Sequence, residues 1–195
     1  MTRTRHGARR IGAGFTLIEL MVTIAIAAIL LLVATPSFVS MQRNSELTSA
    51  ANAFVAAINA ARGEAMKASQ HAMAVPAGGS GWSGGWTVFV DVNGNSAFDS
   101  TTDRVVLQQA ALPAYFTASG SGSAAASPPY VLFDASGYAR TKTTGFGALT
   151  LTLARNDLSG ADQLEQTRRI VVAKTGRARV CRPATDTTCT ATAEE

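Results

Sequence analysis

The apolar residues of the chain change their spacing twice. Nearly every residue from Phe15 to Phe38 is apolar or small, and the only charge there is Glu19. A helix of this length would measure about 36 Å at ~1.5 Å per residue, enough to cross the ~30 Å hydrocarbon core of a bilayer. The pattern therefore predicts a membrane-spanning helix over residues 15–38.

After Phe38 the helical pattern becomes amphipathic. Apolar residues recur at steps of three and four, while polar residues take the other faces. The apolar positions are Leu47, Ala51, Phe54, Val55, Ile58, Ala61 and Ala65. This pattern predicts a second half of the same helix over residues 39–71, packed on the rest of the chain and ending near Gln70.

Residues 72–195 show the spacing of short strands separated by turns. Strands are predicted at Trp86–Val90, Arg104–Ala111, Tyr115–Ala118, Tyr130–Phe133, Ala148–Ala154, Thr167–Ala173 and Arg177–Cys181. Between them, Ser119–Pro129 has the low-complexity composition of a flexible surface loop. One long helix followed by such strands predicts an α+β fold with an antiparallel, β-rich head.

The charges at the N-terminus indicate how the chain is oriented across the membrane. Residues 1–14 contain four arginines and no acid, so the positive-inside rule places everything after the apolar stretch outside the cytoplasm. Without those four arginines, the remaining thirteen bases balance thirteen acids. The basic isoelectric point of the full chain therefore says nothing about partners of the processed protein.

Two conventional interpretations of this N-terminus fit poorly. A secretory signal peptide would be cleaved after its apolar stretch, whereas here the small residue Gly14 precedes it. An ordinary single-span anchor leaves Glu19 unexplained, because a carboxylate at that depth costs several kcal/mol unless it is paired or functional.

The segment Gly14-Phe15-Thr16-Leu17-Ile18-Glu19 resembles the processing signal of type IV pilins and type II secretion pseudopilins. The resemblance implies a type IV pilin fold, cleavage of a 1–14 leader after Gly14 by a prepilin peptidase, and methylation of Phe15. It also implies that Glu19 neutralises the terminal amine of a neighbouring subunit during assembly.

Three segments of the head are similar to the GspH/FimT branch of minor pilins. They are the strand Gly85–Asn93, the hairpin Val131–Gly137 and the C-terminal hairpin Arg169–Arg179. With the N-terminal signal, the resemblance covers nearly the whole chain.

The C-terminal hairpin carries the most concentrated charge of the chain. Six bases and no acid lie between Gln166 and Thr185: Arg168, Arg169, Lys174, Arg177, Arg179 and Arg182. Strand alternation predicts Arg177 and Arg179 on one face, and Gly176 predicts a left-handed turn before them. From the residues alone, a solvated edge hairpin is favoured. The Gly176-Arg177-Ala178-Arg179 segment, however, resembles an element of FimT-type minor pilins, which bind DNA for natural transformation.

The cysteines and an acidic loop are the other residues with possible chemistry. Cys181 and Cys189 are expected to form one disulfide outside the cytoplasm. Asp91, Asn93, Asn95 and Asp99 partly match a calcium loop, but a hairpin turn is the favoured interpretation, and neither a metal nor a cofactor is predicted. No catalytic motif is recognisable, so an enzyme acting on a small molecule is not expected.

The resemblance thus implies a minor type IV pilin that binds double-stranded DNA non-specifically through the C-terminal arginine hairpin. Its other expected partners are filament pilins, the prepilin peptidase and the inner membrane, which its precursor crosses once with a periplasmic head before joining an extracellular pilus. The alternatives are a FimU-like structural minor pilin that primes assembly and a GspH-like pseudopilin of type II secretion.

Overall fold

The computed structural model describes residues 14–79, 81–143 and 145–192. The predicted leader therefore lies outside the described residues except for Gly14. The chain forms two compact units, one ending at Gln42 and the other beginning at Arg43.

In the first unit, helix α1 begins at Leu17 and continues to Ala68 in the second. The Thr16 hydroxyl accepts a hydrogen bond from the Glu19 amide at 3.2 Å, which satisfies one of the open donors of the first turn. Every side chain from Phe15 to Leu32 is exposed. Helix α1 is, within the described residues, the one helix long and apolar enough to span a membrane.

The part of α1 in the second unit packs on the head as the amphipathic pattern predicts. Leu47, Ala51, Phe54, Ile58, Ala61 and Ala65 are buried on one face. Phe54 contacts the rings of Trp82 and Trp86, at 5.3 and 4.2 Å between centroids. Every fully buried core residue of the described chain is at or after Leu47, so Arg43–Glu195 contains its own hydrophobic core.

The head consists of two antiparallel sheets. The first has the order β3-β2-β1-β5-β6, formed by β1 His71–Pro76, β2 Trp86–Asp91, β3 Arg104–Gln109, β5 Val131–Phe133 and β6 Ala139–Arg140. The second has the order β4-β7-β8-β9, formed by β4 Phe116–Gly120, β7 Leu149–Arg155, β8 Thr167–Val172 and β9 Ala178–Cys181. A short helix, α2 Gly160–Glu165, connects β7 to β8.

Two predictions, one for the end of the helix and one for the head, are wrong. The predicted helix over 39–71 ends at Ala68, where Ser69 takes a left-handed conformation, and His71 instead begins β1, a central strand. Ser119–Pro129 is not a flexible loop. Ser119 and Gly120 end β4, residues Gly122–Ala125 form a 3-10 helix, and the Trp82 indole donates to the Ala124 carbonyl at 2.8 Å.

The β2–β3 connection holds itself together through its own carboxylates. Asp91 accepts hydrogen bonds from the amides of Asn95 and Ser96, and Asp103 accepts from those of Val92 and Asp99, all within 3.1 Å. Among the described residues, no three His, Cys, Asp or Glu side chains are grouped to hold a metal ion. The hydrogen bonds of Asp91, Asn95 and Asp99 stabilise the hairpin connection between β2 and β3.

Candidate nucleic-acid interface

The turn between β8 and β9 presents the central residues of the predicted basic cluster. The Ala173 amide donates to the Arg177 carbonyl at 3.0 Å, and the Gly176 amide donates to the Ala173 carbonyl at 2.8 Å. Gly176 has φ of 79°, the left-handed conformation expected from the sequence. Strand β9 begins at Ala178 rather than at Arg177, so Arg177 belongs to the end of the turn.

This turn packs against a second turn and against helix α1. The Arg62 side chain, from α1, donates to the Gly137 carbonyl at 2.9 Å and to the Thr175 carbonyl at 3.4 Å. A Cβ atom on Gly176 would lie 2.1 Å from the Gly137 carbonyl oxygen, so only glycine fits there. Three elements therefore fix the position of the β8–β9 turn.

The Ala139 amide adds a link between the two sheets, because it donates to the Lys174 carbonyl at 3.0 Å. The hairpins Val131–Gly137 and Arg169–Arg179, separate in sequence, are thus neighbours in the fold.

Arg168 is not at the surface. Its side chain is 4% exposed and donates to the Asn44 side chain on α1 at 2.7 Å and to the Thr167 carbonyl at 3.0 Å. Burial lowers the pKa of its guanidinium, and repulsion from Arg182 lowers that pKa further. Because Arg168 joins β8 to the helix, it is not positioned to contact a phosphate.

Arg169 and Arg179 hold the loop closed by the disulfide between Cys181 and Cys189, which the structure contains as predicted. Arg169 donates to the Cys189 carbonyl, and Arg179 donates to the Thr188 carbonyl at 3.1 Å. Arg179 also lies 3.5 Å from the Asp186 carboxylate, and its side chain remains 36% exposed. Hydrogen bonds from Thr188 and the charge of Arg179 hold the pKa of Asp186 below its usual value, so Asp186 is ionised at neutral pH.

The remaining bases are exposed. Lys174 and Arg177 lie in the turn, and within residues 14–79, 81–143 and 145–192 neither side chain has a hydrogen-bond or ion-pair partner. Arg182 is also exposed but lies after β9, close enough to Arg168 to lower its pKa. We call Lys174, Arg177 and Arg179 the basic turn.

The sequence gives no indication of the role of Arg62, one of the polar residues outside the apolar face of the helix. No local signal could have found its role, because its acceptors are backbone carbonyls 75 and 113 positions away. The burial of Arg168 did have a signal, since strand alternation places it on the same face as Ile170 and Val172.

A family model described as type II transport protein GspH matches residues 50–176, more than half of the chain. The chain belongs to the GspH family. A second model, the prokaryotic N-terminal methylation motif, matches residues 9–35, which confirms the recognised pilin signal and implies filament partners and processing by a prepilin peptidase. The GspH match ends at Gly176, just before Arg177 and Arg179.

One solved structure confirms the predicted pilin fold of this GspH family member. The crystal structure of the type IV minor pilin FimU from Pseudomonas aeruginosa aligns with a TM-score of 0.53 and 21% identity over 70% of this chain and 89% of FimU. A second crystal form of FimU aligns at a TM-score of 0.47 with 16% identity over 72% of this chain and 91% of FimU. No curated protein matches the chain.

Proposed function

We propose that this GspH family member is a minor pilin of a type IV pilus and binds extracellular DNA through the basic turn. The observation that carries the proposal is the exposure of Lys174 and Arg177 on a turn that Arg62 and Gly137 hold in place. Exposed cations on a fixed backbone suit the phosphates of DNA, whose recognition needs charge rather than base contacts.

The three bases of the basic turn are not equivalent. Arg179 shares its charge with Asp186, at 3.5 Å, so a phosphate would have to compete with that carboxylate. Lys174 and Arg177 have no such competitor within the described residues. Arg177 and Lys174 should therefore contribute more to DNA affinity than Arg179.

Salt dependence tests this proposal on the processed chain, residues 15–195, purified in detergent. Each neutralised phosphate contributes a slope of about −0.9 to the plot of log affinity against log salt. Two contacts, from Lys174 and Arg177, predict a loss of about twelve-fold in affinity between 50 and 200 mM salt. Replacing both by Gln should flatten that dependence and weaken binding to all DNA sequences alike.

A matched control removes the same charge elsewhere on the head. Lys67 and Arg104 both pair with Glu64, away from the basic turn in sequence, and both are more than half exposed. Lys67→Gln with Arg104→Gln should leave DNA affinity nearly unchanged. The proposal fails if the wild-type chain has no DNA affinity at low salt, or if the basic-turn and control variants behave alike.

Processing and assembly form part of the same proposal. Gly14 would be the cleavage residue, Phe15 the methylated N-terminus and Glu19 the partner of a neighbouring subunit's terminal amine. Mass spectrometry of the filament subunit should find a methylated Phe15, and an N-terminus beyond residue 30 would contradict it. The proposed route is an inner-membrane precursor with a periplasmic head, followed by an extracellular pilus.

A structural role without DNA is the second candidate. It is supported by the contacts that Arg168, Arg169 and Arg179 make within the head, which give these three arginines a part in the fold. This candidate covers a FimU-like minor pilin that primes assembly and a GspH-like pseudopilin. If deleting the gene for this protein abolishes pili, the FimU-like role is supported. If the deletion abolishes protein secretion, the GspH-like role is supported.

A further inference from the structure

Two aromatic side chains are exposed beside the basic turn. Tyr138 is 41% and Phe146 52% exposed, although Phe54, Trp82 and Trp86 are buried in the head. The two exposed rings meet edge to face, with 5.5 Å between centroids and 67° between planes. We call Tyr138 and Phe146 the aromatic pair.

The backbone connects this pair to the basic turn. Tyr138 lies between Gly137, whose carbonyl would be 2.1 Å from a Cβ on Gly176, and Ala139, whose amide donates to the Lys174 carbonyl. Tyr138 is therefore carried by the segment that packs along the turn. No aromatic residue follows Arg168 in the sequence, so a ring beside the basic turn has to come from another segment of the chain.

The surroundings of the aromatic pair are basic. The Arg140 guanidinium lies 4.1 Å from the Phe146 ring centroid, and its Nε donates to Asp134 at 2.5 Å. The charge of Asp134 is thereby balanced within the cluster. Lys142, two residues further on, lies over the Tyr130 ring at 4.8 Å. Lys174 and Arg177 belong to the turn whose backbone contacts Gly137 and Ala139, the residues on either side of Tyr138, so these exposed cations and Arg140 accompany the pair.

We infer that the aromatic pair is a stacking surface for unpaired nucleotides of a DNA strand whose phosphates contact the basic turn. This inference rests on the proposed function. Exposed aromatic rings next to cations are the combination that binds single-stranded nucleic acid, because every base offers a flat face whatever its sequence. In a duplex those faces are already stacked, so the pair favours single-stranded DNA, frayed ends or damaged segments.

The test compares three probes of one length on the processed chain, residues 15–195, in detergent at one salt concentration. The probes are a thymidine strand, the same strand with abasic sites, and a duplex. Stacking on aromatic side chains is worth about a five-fold to 150-fold change in affinity per base. The thymidine strand should therefore bind at least about five-fold more tightly than the abasic strand, which keeps the phosphates but has no bases.

Variants test whether the aromatic pair causes the tighter binding of the thymidine strand. Tyr138→Ala with Phe146→Ala should remove the advantage of the thymidine strand and leave the duplex and abasic affinities within about two-fold. Tyr138→Phe with Phe146→Tyr keeps two rings and should keep the advantage. Phe98→Ala removes an exposed ring of the β2–β3 connection, where Phe98 contacts Phe89, and should change none of the three affinities.

The outcomes separate this inference from the proposed function. If the thymidine and abasic strands bind wild-type protein equally, the stacking surface is overturned while duplex binding by the basic turn stands. The same holds if the double alanine variant keeps the full advantage of the thymidine strand. If wild-type protein binds none of the probes, both proposals fall together.

Discussion

Gly176 should be far less tolerant of substitution than its left-handed conformation alone requires. In Gly176→Ala, the added Cβ would lie 2.1 Å from the Gly137 carbonyl oxygen and 2.9 Å from Arg62 Nε. A left-handed alanine costs about 1–2 kcal/mol. The clash would also push the Gly137 and Gly176 turns apart and weaken the hydrogen bond from Arg62 to the Gly137 carbonyl. A hydrogen bond from a charged group contributes about 1.5–3 kcal/mol. The substitution should therefore destabilise the head by about 3–5 kcal/mol.

Gly160 is the matched control, because it is also left-handed, with φ of 60°, but its Cβ would meet nothing within 4 Å. Gly160→Ala should lower the free energy of unfolding only by the cost of a left-handed alanine, about 1–2 kcal/mol. Gly137→Ala should fall between the two, since its Cβ would meet chiefly the Met66 side chain, which can move.

Thermal denaturation of residues 43–195, followed by circular dichroism, measures these differences. A domain of this size loses about 2–4 °C in Tm for each kcal/mol. At the middle of that range, about 3 °C per kcal/mol, Gly176→Ala should lower Tm by about 9–15 °C and Gly160→Ala by about 3–6 °C. Equal decreases in the two variants would refute the close contact between the Gly137 and Gly176 turns.

Four further outcomes are expected. Asp157→Asn leaves the buried Arg155 guanidinium without its carboxylate and should destabilise the head by about 2–3 kcal/mol at pH 7. Hydrogen bonds from Arg155 lower the pKa of Asp157 from 3.8 to about 2. The difference in stability between wild type and Asp157→Asn should therefore disappear as the pH falls from about 4 to 2, and acid denaturation of both proteins measures it. Arg168→Met should keep DNA affinity within about two-fold of wild type. A loss as large as that of the basic-turn variant would show that Arg168 contacts DNA. Cys189→Ser should speed amide exchange in residues 178–190 while Tm stays near that of wild type, and uniform acceleration across the head would contradict a local role. Glu19→Ala should be cleaved but absent from sheared pili, as immunoblotting can establish.

Regular periodicity made much of this fold predictable. The amphipathic face of α1 repeats over five turns, and the strand at Trp86 is aromatic and β-branched, so local preference and final packing agree. Strand β1 was missed because Ala72, Met73 and Ala74 favour a helix locally. It is a strand because its backbone pairs with both β2 and β5, which are contacts that local sequence does not encode.

The candidate site was predictable only in part, for a similar reason. The left-handed Gly176 and the disulfide follow from residue type and position. The use of Arg168 as a helix anchor and of Arg169 as a support for Cys189 depends on contacts with distant segments. The position of Tyr138 beside Lys174 likewise requires two hairpins from different sheets to meet.

The alanines on the buried face of α1 restrict which substitutions this helix can tolerate. Ala51, Ala57, Ala61 and Ala65 are essentially inaccessible within the head core. A single added methylene there would force the helix away from the sheets at about 1–3 kcal/mol. On the same helix, Gly63 is exposed and a Cβ there would meet nothing within 4 Å, so a side chain can be added at that position without a clash at its first atom. Saturation mutagenesis should therefore divide this helix into a stripe that admits only the smallest residues and a stripe that admits almost any.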